Sequence, residues 1–404
     1  MEKGCHLEKD SHQELIRAAA GEIDSDIVFE GGSFLDVFTG KFKVGDVAVK
    51  NGHICGIDES YVGNQVVDLG GDILVPGFVD SHVHIESSLL VPARFEQAVL
   101  PCGTTTVVWD PHEIANVWGV SGIQWALDSA EKLCLDAFVM VPSCVPSTSP
   151  ELGFETSGAT IKSEDIISFK SHPLVLGLAE VMNFPGVLAA EDDVMSKMHD
   201  YKNLKRDGHC PGLSGKDLNA YAAAGVHSCH ESVSLNEARE KLCKGIHTLI
   251  REGSCAKDAN TLLSIVDSYT SSVVSLCSDD RNPSDISQEG HINFIIDMGL
   301  RKGLSPADLF RVASFSAARI FGLFDRGAIA PGYIADLVRV RKKGDSWTDG
   351  IEIISVYKRG LKVDEKSMNA PIMPRLRERN LHLSVTKPEI FKVSTLSSSG
   401  QYRV

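Results

Sequence analysis

The sequence predicts a (β/α)₈ barrel of the TIM type with a small β-sandwich domain built from both flanks of the barrel. The middle of the chain alternates strand-like and helix-like segments about eight times over roughly 250 residues, which is the size and rhythm of such a barrel. Short alternating β stretches precede this region and a second β patch follows it. A doubly wound open sheet is the competing interpretation, which the lack of a glycine-rich dinucleotide fingerprint after the first strand disfavours.

The N-terminal flank divides into two parts. Residues 1–25 predict a polar leader with one short helix around 14–22. Residues 26–73 contain short stretches such as DIVFEGG and FLDVFTG, separated by Gly, Asn and Asp turns. Such short strands between turn residues are typical of a small sheet, so we expect the N-terminal part of the β domain here.

The predicted barrel occupies residues 74–325. Its eight strand candidates are 74–79, 104–109, 137–141, 175–181, 204–207, 225–228, 245–250 and 273–277. The helical patterns between them cover 92–100, 114–130, 218–224, 235–244 and 256–269.

The C-terminal flank returns to a β pattern. The stretches YIADLVRVR (333–341) and IEIISVYKR (351–359) predict that residues 326–365 complete the β domain. Residues 366–404 are basic, contain proline and have weak periodicity, so we interpret them as a truncated C-terminal segment.

Composition and charge narrow the possible functions. The 404 residues are 43% hydrophobic and 23% charged, which is ordinary for a globular protein. The net charge of −14 and the lack of a basic stripe argue against nucleic-acid binding. No apolar run is long enough for a membrane span, and no signal core is present, so we expect a cytoplasmic protein that binds no membrane. The ten cysteines form no CxxC pair, and we expect most of them to be reduced.

Metal-competent side chains follow the predicted strands, where barrel active sites lie. His82 and His84 share one face of an extended segment because side chains alternate along a strand. Glu180 closes an apolar strand, and a buried carboxylate needs a cation or a proton. The full set comes from strands one, four, five, six and eight: His82, His84, Glu180, His209, His230 and Asp279.

The number of candidate ligands predicts two metal ions. Six ligands exceed the three that a single open catalytic metal usually takes, and two metals bridged by a carboxylate explain the excess. A structural salt bridge is the alternative role for Glu180. His227 is a second candidate for the ligand position assigned to His230. Asp280, next to Asp279, could form an ion pair with Arg281 instead of binding metal. Such a site accepts Mn, Fe and Zn alike.

A second group of residues could shape a substrate pocket. His112 and Glu113 follow strand two where a helix begins, although N-capping by Asp110 and a helix-dipole role for Glu113 are simpler readings. Arg251 ends strand seven, and His291 opens the helix after strand eight. We predict substrate contacts for His112, Arg251 and His291.

Several long motifs resemble the adenine deaminase family of the amidohydrolase superfamily. The stretch PGFVDSHVHIESSLLVPARFEQAVLPCGTTTVVWDPHEIANVWG is similar to the first part of these enzymes. LAEVMNFPGV, GHCPGLSGKDLNAYAAAGVHSCHES, REGSCAKD and SDDRNPSDISQEGHINFIIDMGL continue the resemblance in the same order, and RGAIAPGYIADLV resembles the return into the β domain. HVH marks only the superfamily, whereas DPHEIANV with GHCPGLSGKDLNAY is specific to the family.

The resemblance implies hydrolytic deamination of adenine to hypoxanthine and ammonia, as in purine salvage. It also implies two ions at the six ligand positions, usually manganese or iron, with zinc as a further option. From their positions, Asp279 is expected to carry the proton of the attacking water, and Glu113 to protonate a ring nitrogen. A homo-oligomer is one of the assemblies left open.

The chain departs from the family pattern at two places. Cys229 precedes His230 where an acidic residue is expected, and the chain ends soon after Met368. Two rival functions therefore stay open. One is an amidohydrolase acting on a cyclic amide, which would commonly use a carboxylated lysine where this chain has Glu180. The other is an inactive truncated homologue.

Overall fold

The computed structural model describes residues 7–148 and 157–364. The predicted C-terminal segment 366–404 lies outside these residues. Within them, no helix is both long enough and apolar enough to cross a membrane.

Eighteen strands are described. Those before the barrel are β1 (Ser25–Glu30), β2 (Ser33–Asp36), β3 (Lys41–Val44), β4 (Val47–Lys50), β5 (His53–Ile57), β6 (Gly63–Asp68) and β7 (Ile73–Pro76). The barrel strands are β8 (Phe78–Val83), β9 (Thr104–Trp109), β10 (Asp136–Val141), β11 (Val175–Val181), β12 (Lys205–Gly208), β13 (Ser228–Cys229), β14 (His247–Arg251) and β15 (Val274–Cys277). After the barrel come β16 (Leu337–Lys342), β17 (Ile351–Lys358) and β18 (Leu361–Lys362).

Fourteen α-helices are described. The first seven are α1 (Lys9–Ala19), α2 (Pro92–Val99), α3 (His112–Trp118), α4 (Val120–Ala130), α5 (Ser163–Ile166), α6 (Phe184–Leu188) and α7 (Asp192–Asp200). The others are α8 (Gly215–Ala223), α9 (Leu235–Cys243), α10 (Ala259–Leu262), α11 (Pro283–Glu289), α12 (Ile292–Arg301), α13 (Pro306–Val312) and α14 (Phe315–Ile320).

The β domain is a sandwich of two sheets, and both flanks of the barrel contribute to it, as predicted. One sheet has the order β5-β4-β1-β6, and the other has the order β18-β17-β16-β7-β2-β3. The flanks meet where β16 pairs antiparallel with β7. Apolar side chains of the two sheets share one core, in which the rings of Phe29 and Tyr357 lie 4.8 Å apart.

Eight parallel strands, β8 to β15, form the barrel in sequential order. The (β/α)₈ prediction is therefore confirmed. The first and last strands meet through a parallel bridge between Val83 and Asp279. There, the N–H of Asp279 donates to the carbonyl of His82 at 2.9 Å, and the N–H of His84 donates to the carbonyl of Asp279 at 3.3 Å. Closure of the barrel thus brings three of the predicted ligands together.

Several predicted elements differ from the observed ones. The strand expected over 74–79 is divided at Gly77, so β7 joins the β domain and β8 starts the barrel. Gly77 leaves no room for a side chain, because a Cβ there would lie 2.2 Å from Oγ1 of Thr105. The helix expected over 114–130 is broken at Gly119, whose φ of 60° favours glycine. The helix expected over 256–269 is reduced to α10 and a short 3₁₀ turn.

The N-terminal helix begins earlier than the predicted 14–22 and packs against the β domain. Leu15 and Ala18 of α1 are buried in one cluster with Val28, Ala48 and Cys55. Burying these side chains stabilises the helix on the sheet. This part of the expected polar leader is therefore integrated into the fold.

Candidate metal centre

The six predicted ligands lie together at the carboxyl end of the barrel. His82 is in β8 and Glu180 is in β11. His84, His209 and His230 directly follow their strands, and Asp279 is the second residue after β15. Five of the six side chains are buried, and His209 is 27% exposed. Because neighbouring parallel strands end at the same rim, residues far apart in the sequence form one cluster.

The carboxylate of Glu180 is at the centre of this cluster. Its Oε1 lies 3.1 Å from Nε2 of His82 and 3.0 Å from Nε2 of His84. Its Oε2 lies 2.5 Å from Nδ1 of His209 and 3.5 Å from Nε2 of His230. Burial opposes the charge of Glu180, but the neighbouring imidazoles outweigh it and hold its pKa well below the ordinary value.

Asp279 approaches the same histidines from β15. Its Oδ1 lies 3.1 Å from Nε2 of His84 and 3.5 Å from Nε2 of His82. Burial opposes its ionisation, but contacts with these two rings keep its pKa well below the ordinary value. Its backbone φ of 55° is rare for a residue other than glycine, and such strain is typical of functional sites.

The orientation of the histidines fits a bound cation. Nδ1 of His82 lies 3.0 Å from Oδ2 of Asp207, and Nδ1 of His84 lies 2.9 Å from the carbonyl of Asp110. If each neutral ring donates from Nδ1, both Nε2 lone pairs point inward, and the two Nε2 atoms are only 3.0 Å apart. Two lone pairs so close to carboxylate oxygens repel one another unless a cation or a proton lies between them.

The donor set therefore fits a divalent metal centre. Single-atom ligands of two overlapping groups lie within 4.8 Å of one another: His82, Glu180, His230 and Asp279 in the first, and His84, Asp110, His112 and Glu180 in the second. Imidazole and carboxylate are ligands of Mn, Fe and Zn. The buried Nδ1 of His230 has no hydrogen-bond partner among the described residues.

His112 and Glu113 lie beside this cluster at the start of α3. Nδ1 of His112 lies 2.9 Å from Oδ2 of Asp110, and its Nε2 lies 3.3 Å from Oε1 of Glu113. Burial alone would lower the pKa of His112, but Asp110 raises it to about 9. Oε2 of Glu113 lies 3.6 Å from Nδ1 of His84 and has no hydrogen-bond partner among the described residues.

The guanidinium of Arg251 contacts three carboxylates near the cluster. Its Nη1 lies 3.2 Å from Oδ2 of Asp279 and donates also to Glu231, while its Nε and Nη2 donate to Asp258. This arrangement holds Oδ2 of Asp279 and leaves Oδ1 facing the histidines. Substrate contact by Arg251 stays a prediction.

The structure does not bring His291 into the cluster. Its Nδ1 lies 2.9 Å from Oγ1 of Thr104, the first residue of β9, and its Nε2 lies 3.2 Å from Oδ2 of Asp80. Burial lowers the pKa of His291 to about 3, which keeps the ring neutral. The predicted substrate contact has no support from this position.

Sequence reasoning missed the residues that orient the ligands. Asp207 holds His82, and its other oxygen accepts from Oγ of Ser228 at 2.6 Å. Glu231, 3.6 Å from Nε2 of His230, does not orient a ring but is a further metal-competent donor, grouped with His209 and His230. Asp207 precedes His209 by two residues, which was a usable signal, because alternate residues of a strand share one face.

Cys229 stands before His230, where the family pattern predicts an acidic residue. It contacts side chains that are not predicted ligands. Its Sγ lies 3.7 Å from Sγ of Cys210 and 3.4 Å from Nζ of Lys241. Since successive side chains of a strand point to opposite faces, His230 can face the cluster while Cys229 faces away.

The chain is similar in sequence to known proteins. Residues 73–363 match the amidohydrolase family. The chain is 47% identical over 328 residues to adenine deaminase of Brucella anthropi, covering 81% of this chain and 58% of that protein. It is likewise 47% identical over 328 residues to adenine deaminase 1 of Rhizobium meliloti, covering 81% and 57%. The chain thus spans a little over half the length of the curated relatives it matches.

Solved structures of similar fold are more distant in sequence. An enamidase superposes with a TM-score of 0.63 at 17% identity, covering 87% of this chain and 99% of that structure. The dihydropyrimidinase of Brevibacillus agri superposes with a TM-score of 0.60 at 15% identity, covering 83% and 94%. These two similarities show the fold alone.

Proposed function

Because this chain belongs to the amidohydrolase family, we propose that it catalyses the hydrolytic deamination of adenine to hypoxanthine and ammonia. The observation that carries the proposal is the cluster of four imidazoles and Asp279 around the buried carboxylate of Glu180. The 47% identity to adenine deaminases supports adenine as the substrate. The cytoplasm is the proposed compartment, and assembly into a homo-oligomer stays an open prediction.

We propose that the cluster holds two divalent ions, manganese or iron in the first place and zinc as an option. The proposed ligands are His82, His84, Glu180, His209, His230 and Asp279. Glu180 suits the bridging position, since each of its oxygens faces a different pair of imidazoles. When bound, such ions lower the pKa of water from about 15.7 to about 7, which provides a nucleophile at neutral pH.

Asp279 is the proposed carrier of the proton that the attacking water loses. Its Oδ1 faces the ligand histidines, while Arg251 holds Oδ2 at 3.2 Å. A carboxylate fixed by one oxygen can accept a proton on the other and deliver it to the leaving amine. The oxygen of the water bonds to C6 as its proton passes to Asp279, and the tetrahedral intermediate then breaks its C6–N bond and releases ammonia.

Glu113 is the proposed donor to a ring nitrogen of adenine. Its side chain is 37% exposed, and its Oε2 is free of hydrogen bonds among the described residues. Protonation of the ring makes C6 more electrophilic, which favours attack by water. The imidazole of His112, 3.3 Å from Oε1, holds the carboxylate in place and can contact substrate.

The first rival is hydrolysis of a cyclic amide, which the name of one fold neighbour, the dihydropyrimidinase, suggests. The residue at the fourth barrel strand opposes this function. Hydrolases of cyclic amides commonly use a carboxylated lysine there, whereas this chain has Glu180. The second rival is an inactive homologue. The convergence of all six ligands supports an active site instead.

Two measurements on purified protein distinguish these functions. We expect conversion of adenine to hypoxanthine, followed by absorbance, together with about two metal ions per chain. Dihydrouracil and hydantoin serve as the cyclic-amide substrates and should not be hydrolysed. Hydrolysis of a cyclic amide without deamination would favour the first rival, and a metal-loaded protein without either activity would favour the second.

A further inference from the structure

A pocket of about 310 Å³ opens at the amino end of the barrel strands, opposite the metal centre. Residues at the starts of β11 and β12 and just before β13 line one side, and residues after α14 line the other. The residues that matter for its chemistry are Lys202, Asn203, Lys205, His227, Phe321 and Phe324. Its size is at the lower end of the range of small-molecule sites, roughly 300–1,000 Å³.

The polar side of the pocket is positive, and the described residues that line it supply no counter-charge. None of the described residues that line it is acidic, although the chain as a whole has a net charge of −14. The ammonium of Lys205 is half-buried and makes no hydrogen bond or ion pair with any described residue, and burial lowers its pKa. Lys202 lies on the same wall, where Nζ is 3.3 Å from Nε2 of His199. A partly buried cation such as Lys205, with no partner among the described residues, favours an external anion.

The imidazole of His227 reports the same positive environment. Burial lowers its pKa to about 4, and the charges of Arg206 and Lys205 add to the effect. The ring is therefore neutral at pH 7, and its Nδ1 accepts the backbone N–H of Arg206 at 3.3 Å. The remaining proton is on Nε2, so the ring contributes an N–H donor besides the two ammonium groups.

The opposite side of the pocket is aromatic. Phe324 is 49% exposed although it is large and apolar, and Phe321 is buried beside it. The guanidinium of Arg319 lies 4.8 Å from the centre of the Phe324 ring and fixes that ring through a cation–π contact. An exposed, fixed aromatic ring is a surface on which a planar group can stack.

We propose that this pocket binds a small phosphorylated molecule with a planar ring, with the phosphate at Lys202 and Lys205 and the ring against Phe324. Lysine ammonium groups are compact point charges that suit a phosphate dianion. This site is distinct from the metal centre and does not depend on the proposed deamination. A nucleoside monophosphate combines the two required chemical groups, and AMP is the probe.

Calorimetric titration of the purified protein tests the proposal with AMP, adenosine and inorganic phosphate. We expect AMP to bind at least tenfold more tightly than either fragment, and its affinity to fall as ionic strength rises. Lys205→Gln should weaken AMP binding at least tenfold, and Phe324→Ala should weaken AMP without changing the affinity for phosphate.

Lys216→Gln is the matched control, because Lys216 is an exposed lysine of α8 outside the pocket. It should bind AMP as the unchanged protein does, and thermal melting should show that all variants are folded. Absence of AMP binding would overturn the proposal. Equal AMP affinity in Lys205→Gln and the unchanged protein would also overturn it, because AMP would then occupy another site.

Discussion

The two ends of the barrel handle buried charge in opposite ways. At the carboxyl end, four imidazoles surround Glu180 and Asp279, and further carboxylates such as Asp207 orient the rings. At the amino end, Lys205 and Lys202 line a pocket without any described carboxylate. The first arrangement supplies converging lone pairs, which suit cations. The pocket at the amino end supplies ammonium groups without a facing carboxylate among the described residues, which suits an anion.

Removing an imidazole at the carboxyl end should have the largest effect. His82→Ala deletes a ring whose Nε2 lies within 3.5 Å of both Glu180 and Asp279, so metal content and deamination should fall together. Metal analysis and the adenine assay on one preparation check this. His247→Ala, at the start of β14 on the amino end, is the control and should retain both. Full activity of His82→Ala at unchanged metal content would contradict the assignment.

Asp279→Asn should separate proton transfer from metal binding. The amide still offers an oxygen to a cation but cannot accept a proton at neutral pH, so turnover should fall on the order of 10²–10⁴ while much of the metal remains. If Asp279 is only a ligand, metal and activity should fall in proportion, and added Mn should restore much of the rate. Asp217→Asn alters an exposed carboxylate of α8, away from the cluster, and should be nearly neutral.

Asp207→Asn should have an intermediate effect at the same end. The carboxylate orients His82 through Nδ1, and loss of such an orienting group typically costs about 10–100-fold in metal affinity or activity. Competition with a metal chelator measures the affinity. Asp217→Asn, on the exposed face of α8, is the matched control. Unchanged metal affinity in Asp207→Asn would show that the His82 ring is held without it.

The smallest expected effect is at the amino end. Lys205→Met removes a half-buried ammonium that has no partner among the described residues. The free energy of unfolding at pH 7 should therefore rise by about 0.5 kcal/mol, and the melting temperature should rise slightly with it. Because burial lowers the folded-state pKa of Lys205, the charged ammonium opposes folding below that pKa. This cost shrinks as the pH rises through the folded-state pKa towards the ordinary lysine pKa of about 10.4. The difference in melting temperature should therefore narrow at high pH. A destabilised variant would show that the ammonium has an unrecognised partner.

The fold was predictable wherever a strand is a single apolar run between turn residues. The predicted strands 104–109 and 175–181 coincide with β9 and β11. The prediction over 74–79 was wrong because two strands of different sheets follow each other with only Gly77 between them. Periodicity carries no sign of which sheet a strand joins, since that depends on pairing with β16, far along the chain.

The site was predictable to the extent that ligands follow strands. The barrel rule predicted that six candidate ligands lie close together, and their side chains do, because the strand ends determine where they lie. The orienting contacts cross between strands, as from Asp207 in β12 to His82 in β8, and depend on side-chain direction. His291 shows the converse: it follows the last barrel strand but packs against Thr104 at the far end of β9.

Metal reconstitution tests the central claim most directly. The purified protein is stripped with a chelator and titrated with Mn²⁺, while bound metal and adenine turnover are measured together. We expect activity to be lost on stripping, to return with added Mn²⁺, and to level off at about two ions per chain, whereas Glu180→Gln levels off near one ion with little activity. Deamination that survives complete removal of metal, or two tightly held ions in Glu180→Gln, would contradict a metal centre organised around Glu180.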